Sequence, residues 1–407
     1  MESSARRLDS SPNPGPVAKP HPLGGIRVLD LSRFIAGPFA GRLLADLGAD
    51  VVKVEPPSGD VTRLFGVVRG GLSGLYVQQN AGKRNVCIDL KQAGAVDLVR
   101  KLAAHADVVI ENFRPGVLTK LGLGYETLAS ANPRLVMLSI SGFGQEGPES
   151  QRQAYAPIIH AESGWVSRRN EMFGTPMDDS VLSFADSIAG LHGLVALLSA
   201  LYLRTQNGQG QHLDIAMLDA WLATDDYIHY LLDGAQKPVF QGGEVWEAPG
   251  GPLMLNRTLP HVWKLLRDAH GLAADVPAGA DRETKETVRR DAIRRWMHSF
   301  ASREELKRAL EKADLAWGEV RTSQTLLDSP TVVARGVAAL VGSDCGGERL
   351  VVQSPYRFSA AASGVRSGAA RLGQHNAVVL EEWAGLSAAE IERLVAERVL
   401  RFEEAPE

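Results

Sequence analysis

Cysteine is nearly missing from this sequence. Its 407 residues hold two, Cys87 and Cys345. That is too few for a disulfide framework or a thiolate metal set, so a reducing compartment is expected. Neither sign of charge is in excess. Lys and Arg number 44 against 48 Asp and Glu, for a net charge of −4, and this argues against nucleic acid as a main partner. No apolar run is long enough to span a bilayer, because the best stretch, 181–203, is interrupted by Asp186 and His192. No membrane partner is expected. The opening MESSARRLDSSPNPGPVAKPHP is polar and proline-rich, lacks the apolar centre of a signal peptide, and reads as a disordered tail over 1–23. The expected location is cytoplasmic.

Several catalytic signatures are missing as well. No G-x-G-x-x-G follows the first strand and no G-x-x-x-x-G-K-[ST] occurs, so NAD and P-loop nucleotide readings lose their main support. G-x-S-x-G and H-E-x-x-H are absent too. His160 and His192 have no ligand-spaced partners, and no metal site is expected. There is no internal repeat, heptad pattern or long low-complexity tract.

What is present is an ordinary globular composition, 44% hydrophobic and 23% charged, with a regular alternation from Gly25 onward. GIRVLDLS, ADVVKVE, NVCIDL, DVVIENF and RLVMLSISGFG read as strands. PFAGRLLADLG, AGAVDLVRKLAAHA and YETLASANP read as helices between them. VRGGLSGLY reads as a glycine-rich loop. Such alternation predicts βαβ units and a right-handed parallel sheet, whose ligands bind where strands end and helices begin. The loops to watch are therefore RFIAGP, KRN, ENFRPG and SGFGQEGP. A long helix follows Asp186, with Leu191, Leu194, Val195, Leu198, Leu201 and Tyr202 at the spacing of one buried face. QHLDIAMLDAWLATDD reads as a strand running into a helix. Near 235–256 the composition turns to glycine and proline. Residues 257–312 are helical and charge-rich, and strands return from about 330 (GERLVVQSPYRFS) before a last helix at SAAEIERLVAERV.

Asp186 stands almost alone in LSFADSIAGLHG. An aspartate there is a good helix N-cap. The same position also stabilises the anion through the helix dipole, which suits a nucleophile. Both readings remain open on the residues alone. Lys83, Arg84, Lys91, Arg114 and Lys120 form either a solvated rim or a ring of cations holding phosphates at one strand-end crevice. Asn112 is equally readable as a satisfied turn residue. Tyr155 is of a type more often found in a core than in a site, and His160 and Glu162 read as partners for loop backbone.

Taken in order, these phrases resemble the family III CoA-transferases, of the formyl-CoA and carnitine CoA-transferase type, which share their fold with the α-methylacyl-CoA racemases. The matching segments are GIRVLDLSRFIAGPFAGRLLADLGADVVKVEPPSGDVTR, NAGKRNVCIDLK, ADVVIENFRPGVLTKLGLGYETL, NPRLVMLSISGFGQEGP, FADSIAGLHG, GQGQHLDIAMLDA and LGQHNAVVLEEWAGLSAAEIERL. The likeness is dense over 24–235 and looser over 330–400.

The resemblance implies an α/β fold. Its large Rossmann-like domain would have a parallel sheet built from both chain ends, 24–235 and 331–407. A smaller α+β domain over 236–330 would be inserted between them, and two chains would interlock as a dimer. It implies that Asp186 is the nucleophile and that coenzyme A is carried as substrate and product. It places CoA contacts at Phe34, Ile35, Ala36, Ile88, Lys91, Asn112, Phe113, Arg114 and Lys120, and the acyl group beside Tyr155. The partners implied are acyl-CoA and small carboxylic acids, with a homodimer or a hetero-oligomer as the assembly. Two departures narrow this. Only the pairs Gly242-Gly243 and Gly250-Gly251 stand where oxalate-using members carry a longer glycine run, which points away from oxalate. Tyr155 stands near where racemases use a histidine, which points away from two-base proton transfer. The alternatives kept are a racemase of the same fold and a CoA-binding partner subunit.

Overall fold

The computed structural model describes residues 19–234, 242–343 and 347–403. The predicted tail lies outside the described residues up to residue 18, as does Cys345. The chain divides into two compact units. One takes in the chain up to Asn170, Thr175–Ile228 and the chain from Gly336; the other takes in Glu171–Gly174 and His229–Arg335.

The larger unit is organised by a six-stranded sheet. Its strands are β1 (Arg27–Asp30), β2 (Asp50–Glu55), β3 (Arg84–Cys87), β4 (Val108–Glu111), β5 (Val136–Ser141) and β6 (Gln211–Ala216). They lie in the order β3-β2-β1-β4-β5-β6, and each neighbouring pair is parallel. Side chains alternate between faces along a strand, and here both faces are apolar and covered by helices, as a parallel sheet requires. Val28, Val51, Val108, Ile110, Val136 and Leu138 enter one core with α1 (Ala36–Asp46) and α2 (Phe184–Asn207). Leu29, Val52, Val109 and Met137 enter the other with helices Ala95–Ala104 and Asn376–Ala384. The order of strands reverses between β1 and β4. In such a sheet the crevice for a ligand opens beyond the carboxyl ends of those two strands.

Three expectations need correction. Among the described residues the sheet takes no strand from the C-terminal part of the chain. Ala338–Ser343 and Gly347–Val352 pair with each other as a separate hairpin, in six-residue register, and so satisfy their backbone groups locally. That part of the chain reaches the core through side chains, among them Val379, Leu380, Trp383 and Leu400, with a bridge between Ile88 and Leu400. The segment VRGGLSGLY is not a plain loop. It holds two short paired strands and the helix Gly74–Asn80, with Tyr76 buried.

The third correction concerns α2. Its sheet-facing side is made of Ala185, Ala189, Gly190, Gly193, Leu194, Leu197 and Leu201, whereas Leu191, Val195 and Tyr202 are 43%, 63% and 68% exposed. Close approach selected small residues over large ones. A Cβ at Gly190 would lie 2.8 Å from the Ala36 carbonyl oxygen and 3.1 Å from the Phe39 ring, and one at Gly193 2.9 Å from Leu138. By length and composition alone α2 is also apolar enough to cross a membrane, with mean hydropathy 1.6 over its best window, despite Asp186 and His192. Here it packs as a core helix.

The smaller unit pairs Glu244–Trp246, Leu253–Leu255 and Trp317–Glu319 as an antiparallel sheet. Helices Leu259–His270, Arg282–Met297 and Arg303–Lys312 close its core around Trp246, Leu253, Val262, Ile293 and Leu306.

Candidate active site

A cleft of about 260 Å³ opens where β1, β4 and β5 end. The turn after β1 supplies Phe34 and Ala36 to it, and the turn after β4 supplies Asn112, Phe113 and Arg114. Tyr155 and Asp186 complete the set that the sequence placed together. A second hollow of about 200 Å³, with a mainly apolar lining, takes in Ile88 and Lys91. Arg33 and Phe113 line both. Two of the expected residues line neither: Ile35 stands at the N-cap of α1, and Lys120 is exposed at the end of the short helix Val117–Lys120.

Asp186 is not a cap. It is the third residue of α2, and Ser183 occupies the cap position. The backbone N–H groups of Ala36 and Ala156, the first residues of α1 and of helix Ala156–Glu162, lie by the carboxylate and favour its charged form. With its own helix, three helix N-termini meet at this carboxylate, and the N–H groups of Ala36 and Ala156 are of the kind that has no acceptor within its own helix. Burial outweighs their effect and raises the carboxyl to about 6. Among the described residues it has no ion-pair partner. The group is therefore mostly an anion at neutral pH, poorly solvated, and open to the cleft.

The turn after β1 is held in an unusual conformation. Phe34 has φ 63, in the left-handed region that a phenylalanine seldom adopts, at a cost of roughly 1–3 kcal/mol. Asn112 secures the turn from the side. Its Oδ1 accepts from Arg33 N–H at 2.8 Å, and its Nδ2 donates to the Arg33 carbonyl at 2.7 Å. Phe34 N–H donates to Asp60 Oδ2 at 3.2 Å, and the Phe34 ring meets the half-exposed Tyr155 edge-on at 5.5 Å. Asn112 is thus a backbone clamp between the two turns, with its amide already engaged. Beneath it, burial pushes Glu111 up to about 7, against hydrogen bonds from Ser139 and Phe113 N–H.

The basic residues separate into two groups. Lys83 is buried, and its Nζ donates to Asp30 Oδ2 at 2.8 Å, the Pro38 carbonyl at 2.7 Å and Asn80 Oδ1 at 2.9 Å. Arg84 pairs with Asp50 and Glu382. Neither is a phosphate holder, because both are committed to carboxylates of the fold. Lys91 and Arg114 do line the hollows, Arg114 donating to Gln153 as well.

His160 has more to do than satisfy a loop. It is fully buried, and its Nε2 accepts from Ala185 N–H at 3.2 Å. The proton is therefore assigned to Nδ1, which lies 2.6 Å from Asp179 Oδ1. The helix whose first N–H reaches Asp186 is thereby fastened to the residue before Asp186. His160→Leu leaves Ala185 N–H buried and unpaired, so a loss of about 1–3 kcal/mol is expected in thermal or denaturant melts. His160→Gln, which can accept the same bond, is expected to recover most of it. Glu162 on that helix pairs with Arg152.

The sequence missed Arg33, Ser141 and the two N–H donors. Arg33 and Ser141 lay in loops already singled out, but nothing in residue type marked them. The donors come from backbone, which has no signature.

Known proteins similar to this chain point to one family. The model of "CoA-transferase family III" matches residues 23–376. The succinate–glutarate CoA-transferase of Agrobacterium fabrum is 35% identical over 393 residues, covering 90% of this chain and 96% of that one. The beta subunit of the succinyl-CoA–L-malate CoA-transferase of Chloroflexus aurantiacus is 30% identical, covering 93% and 98%. Among solved structures, a CAIB/BAIF family protein from Brucella suis superposes with a TM-score of 0.76 at 31% identity, over 90% of this chain and all of that one. With the family model and full-length relatives in agreement, this chain belongs to CoA-transferase family III and is a CoA-transferase.

Proposed function

We propose that Asp186 carries coenzyme A between an acyl-CoA and a carboxylic acid as an aspartyl thioester. The observation that carries this is a desolvated carboxylate lining the cleft, with no counter-ion among the described residues and two helix N–H groups beside it. Asp186 Oδ attacks the thioester carbonyl of the donor, and the C–S bond breaks to give a mixed anhydride and CoA thiolate. The thiolate attacks Cγ of Asp186, forming the aspartyl thioester and releasing the donor acid as its carboxylate. The acceptor carboxylate attacks that thioester, again giving an anhydride and thiolate. The thiolate then takes the acyl carbon of the acceptor and restores Asp186. No ATP is needed, since every intermediate stays activated. Water must be kept out, and the desolvation that raises the Asp186 carboxyl supports such a site.

Phe34, Ala36, Phe113 and the hollow at Ile88 and Lys91 are the proposed path of the pantetheine arm. Arg114, Lys91 and the more distant Lys120 would meet the phosphates, Ile35 and Asn112 would fix the turns, and Tyr155 would flank the acyl group. We infer a cytoplasmic homodimer, with the exposed side of α2 at Leu191, Val195 and Tyr202 covered by a second copy. Light scattering on the purified protein tests this. The subunit name of the Chloroflexus relative makes a hetero-oligomer the competing outcome. The chemistry is tested by incubating the protein with an acyl-CoA and no acceptor, then digesting it for mass spectrometry. A CoA adduct on the peptide containing Asp186 is expected. Turnover with a modified residue elsewhere would dispose of the scheme.

A further inference from the structure

Arg33 is the cation that the site leaves unused. It lines both hollows, at their junction. Its backbone is gripped at N–H and carbonyl by Asn112, so the side chain departs from a fixed point. Among the described residues its guanidinium has no hydrogen bond or ion pair, and its Nε is sealed from solvent with no acceptor. A buried donor without a partner is a cost that folds avoid unless something else supplies the acceptor. The other arginines of the cleft are engaged, Arg114 with Gln153 and Arg152 with Glu149 and Glu162. Arg33 and Asp186 line the same cleft of about 260 Å³, and no ion pair joins them. Ser141, with a buried and unpartnered Oγ, lines the same cleft.

On the proposed path the phosphates fall to Lys91, Arg114 and Lys120, and the neutral pantetheine arm gives Arg33 no counter-ion. An acid with one carboxylate engaged at Asp186 and a second at its far end would supply one, and a planar fork suits a carboxylate better than any other side chain. Succinate, glutarate and malate, in the names of two relatives, are such acids. We propose that this enzyme transfers CoA between dicarboxylic acids, and that Arg33 is the specificity-determining residue that holds the distal carboxylate. The proposal rests on Asp186 being the nucleophile.

The test is internal competition. Glutaryl-CoA is supplied as donor with succinate and butyrate together as acceptors, and the ratio of succinyl-CoA to butyryl-CoA is measured. That ratio depends on the acceptor step alone, whatever the donor step has lost. Wild type is expected to favour succinate strongly. Arg33→Gln should erode that preference by about 10- to 100-fold, with Arg33→Lys between. Melting temperatures no lower than wild type are expected for both, because the side chain holds nothing in the fold. Three results would overturn the assignment: a wild-type preference for butyrate, a ratio unmoved by Arg33→Gln, or a loss falling equally on both acids with a raised KM for CoA. Mass analysis of the same samples separates the two levels of the argument. An Asp186 adduct with an unmoved ratio sinks Arg33 alone, whereas turnover without that adduct sinks both.

Discussion

Asp186→Asn is expected to abolish CoA transfer, by at least about 10³-fold in kcat, while making the protein more stable at neutral pH. The two effects have one origin. The carboxyl rises from an ordinary 3.8 to about 6 because burial penalises its charge. A group with a raised folded pKa costs nothing below its unfolded value, and the cost grows as pH climbs between the two. It is complete above about pH 6. The size is about 3 kcal/mol, two pKa units at 1.36 kcal/mol each. Asparagine removes the charge and keeps an oxygen beside the Ala36 and Ala156 N–H groups, so a gain of about 1–3 kcal/mol is expected at pH 8 and little at pH 4.

The measurement is a pair of denaturation curves at several pH values. Glu111 titrates near 7 for the same reason, so the raw curve of either protein mixes two groups. The difference between wild type and variant isolates Asp186. A variant less stable than wild type at pH 8 would contradict the desolvated-anion account, and retained transfer would contradict the chemistry. In wild type the same titration predicts that kcat/KM falls as pH drops through about 6, because only the anion attacks.

The strands could be read because a parallel sheet buries both faces, and valine-rich runs such as DVVKVE and RLVMLSIS leave little else to be. Asp186 could be singled out as the candidate because a lone carboxylate in an apolar helix start is conspicuous and the surrounding phrases resemble a family. Its setting could not be read, since Ala36 and Ala156 contribute only backbone N–H groups from distant turns. Burial of α2 was misjudged because hydrophobicity ranks Leu191 and Tyr202 above Gly190 and Ala189, whereas a close helix crossing needs the small residues. Lys83 was misjudged for a similar reason. A lysine beside a strand start is usually solvated, and what buries this one is an aspartate from another strand.

That aspartate makes Lys83→Met the second large effect. Asp30 is fully buried at the end of β1, where it also accepts from Ser32. Burial alone would raise its carboxyl, but Lys83, Lys53 and Ser32 together hold it below the ordinary range, so it remains an anion. Lys83 gains less from the pair. Burial pulls it down to about 8 despite Asp30, and the charge of Lys53, which shares Asp30, opposes it further. Gly41 makes room for the pair, since a Cβ there would lie 2.9 Å from Asp30 Oδ2. Breaking one side of such a pair strands the other charge, at about 3–5 kcal/mol, with Lys53 keeping the loss toward the lower figure. Because Lys83 also donates to the Pro38 carbonyl in the first turn of α1, activity should fall along with stability. Asp30→Asn combined with Lys83→Met is expected to be more stable than Lys83→Met alone, since the stranded anion is gone. If Lys83 instead held a phosphate, its loss would raise KM for CoA and leave the melting curve where it was.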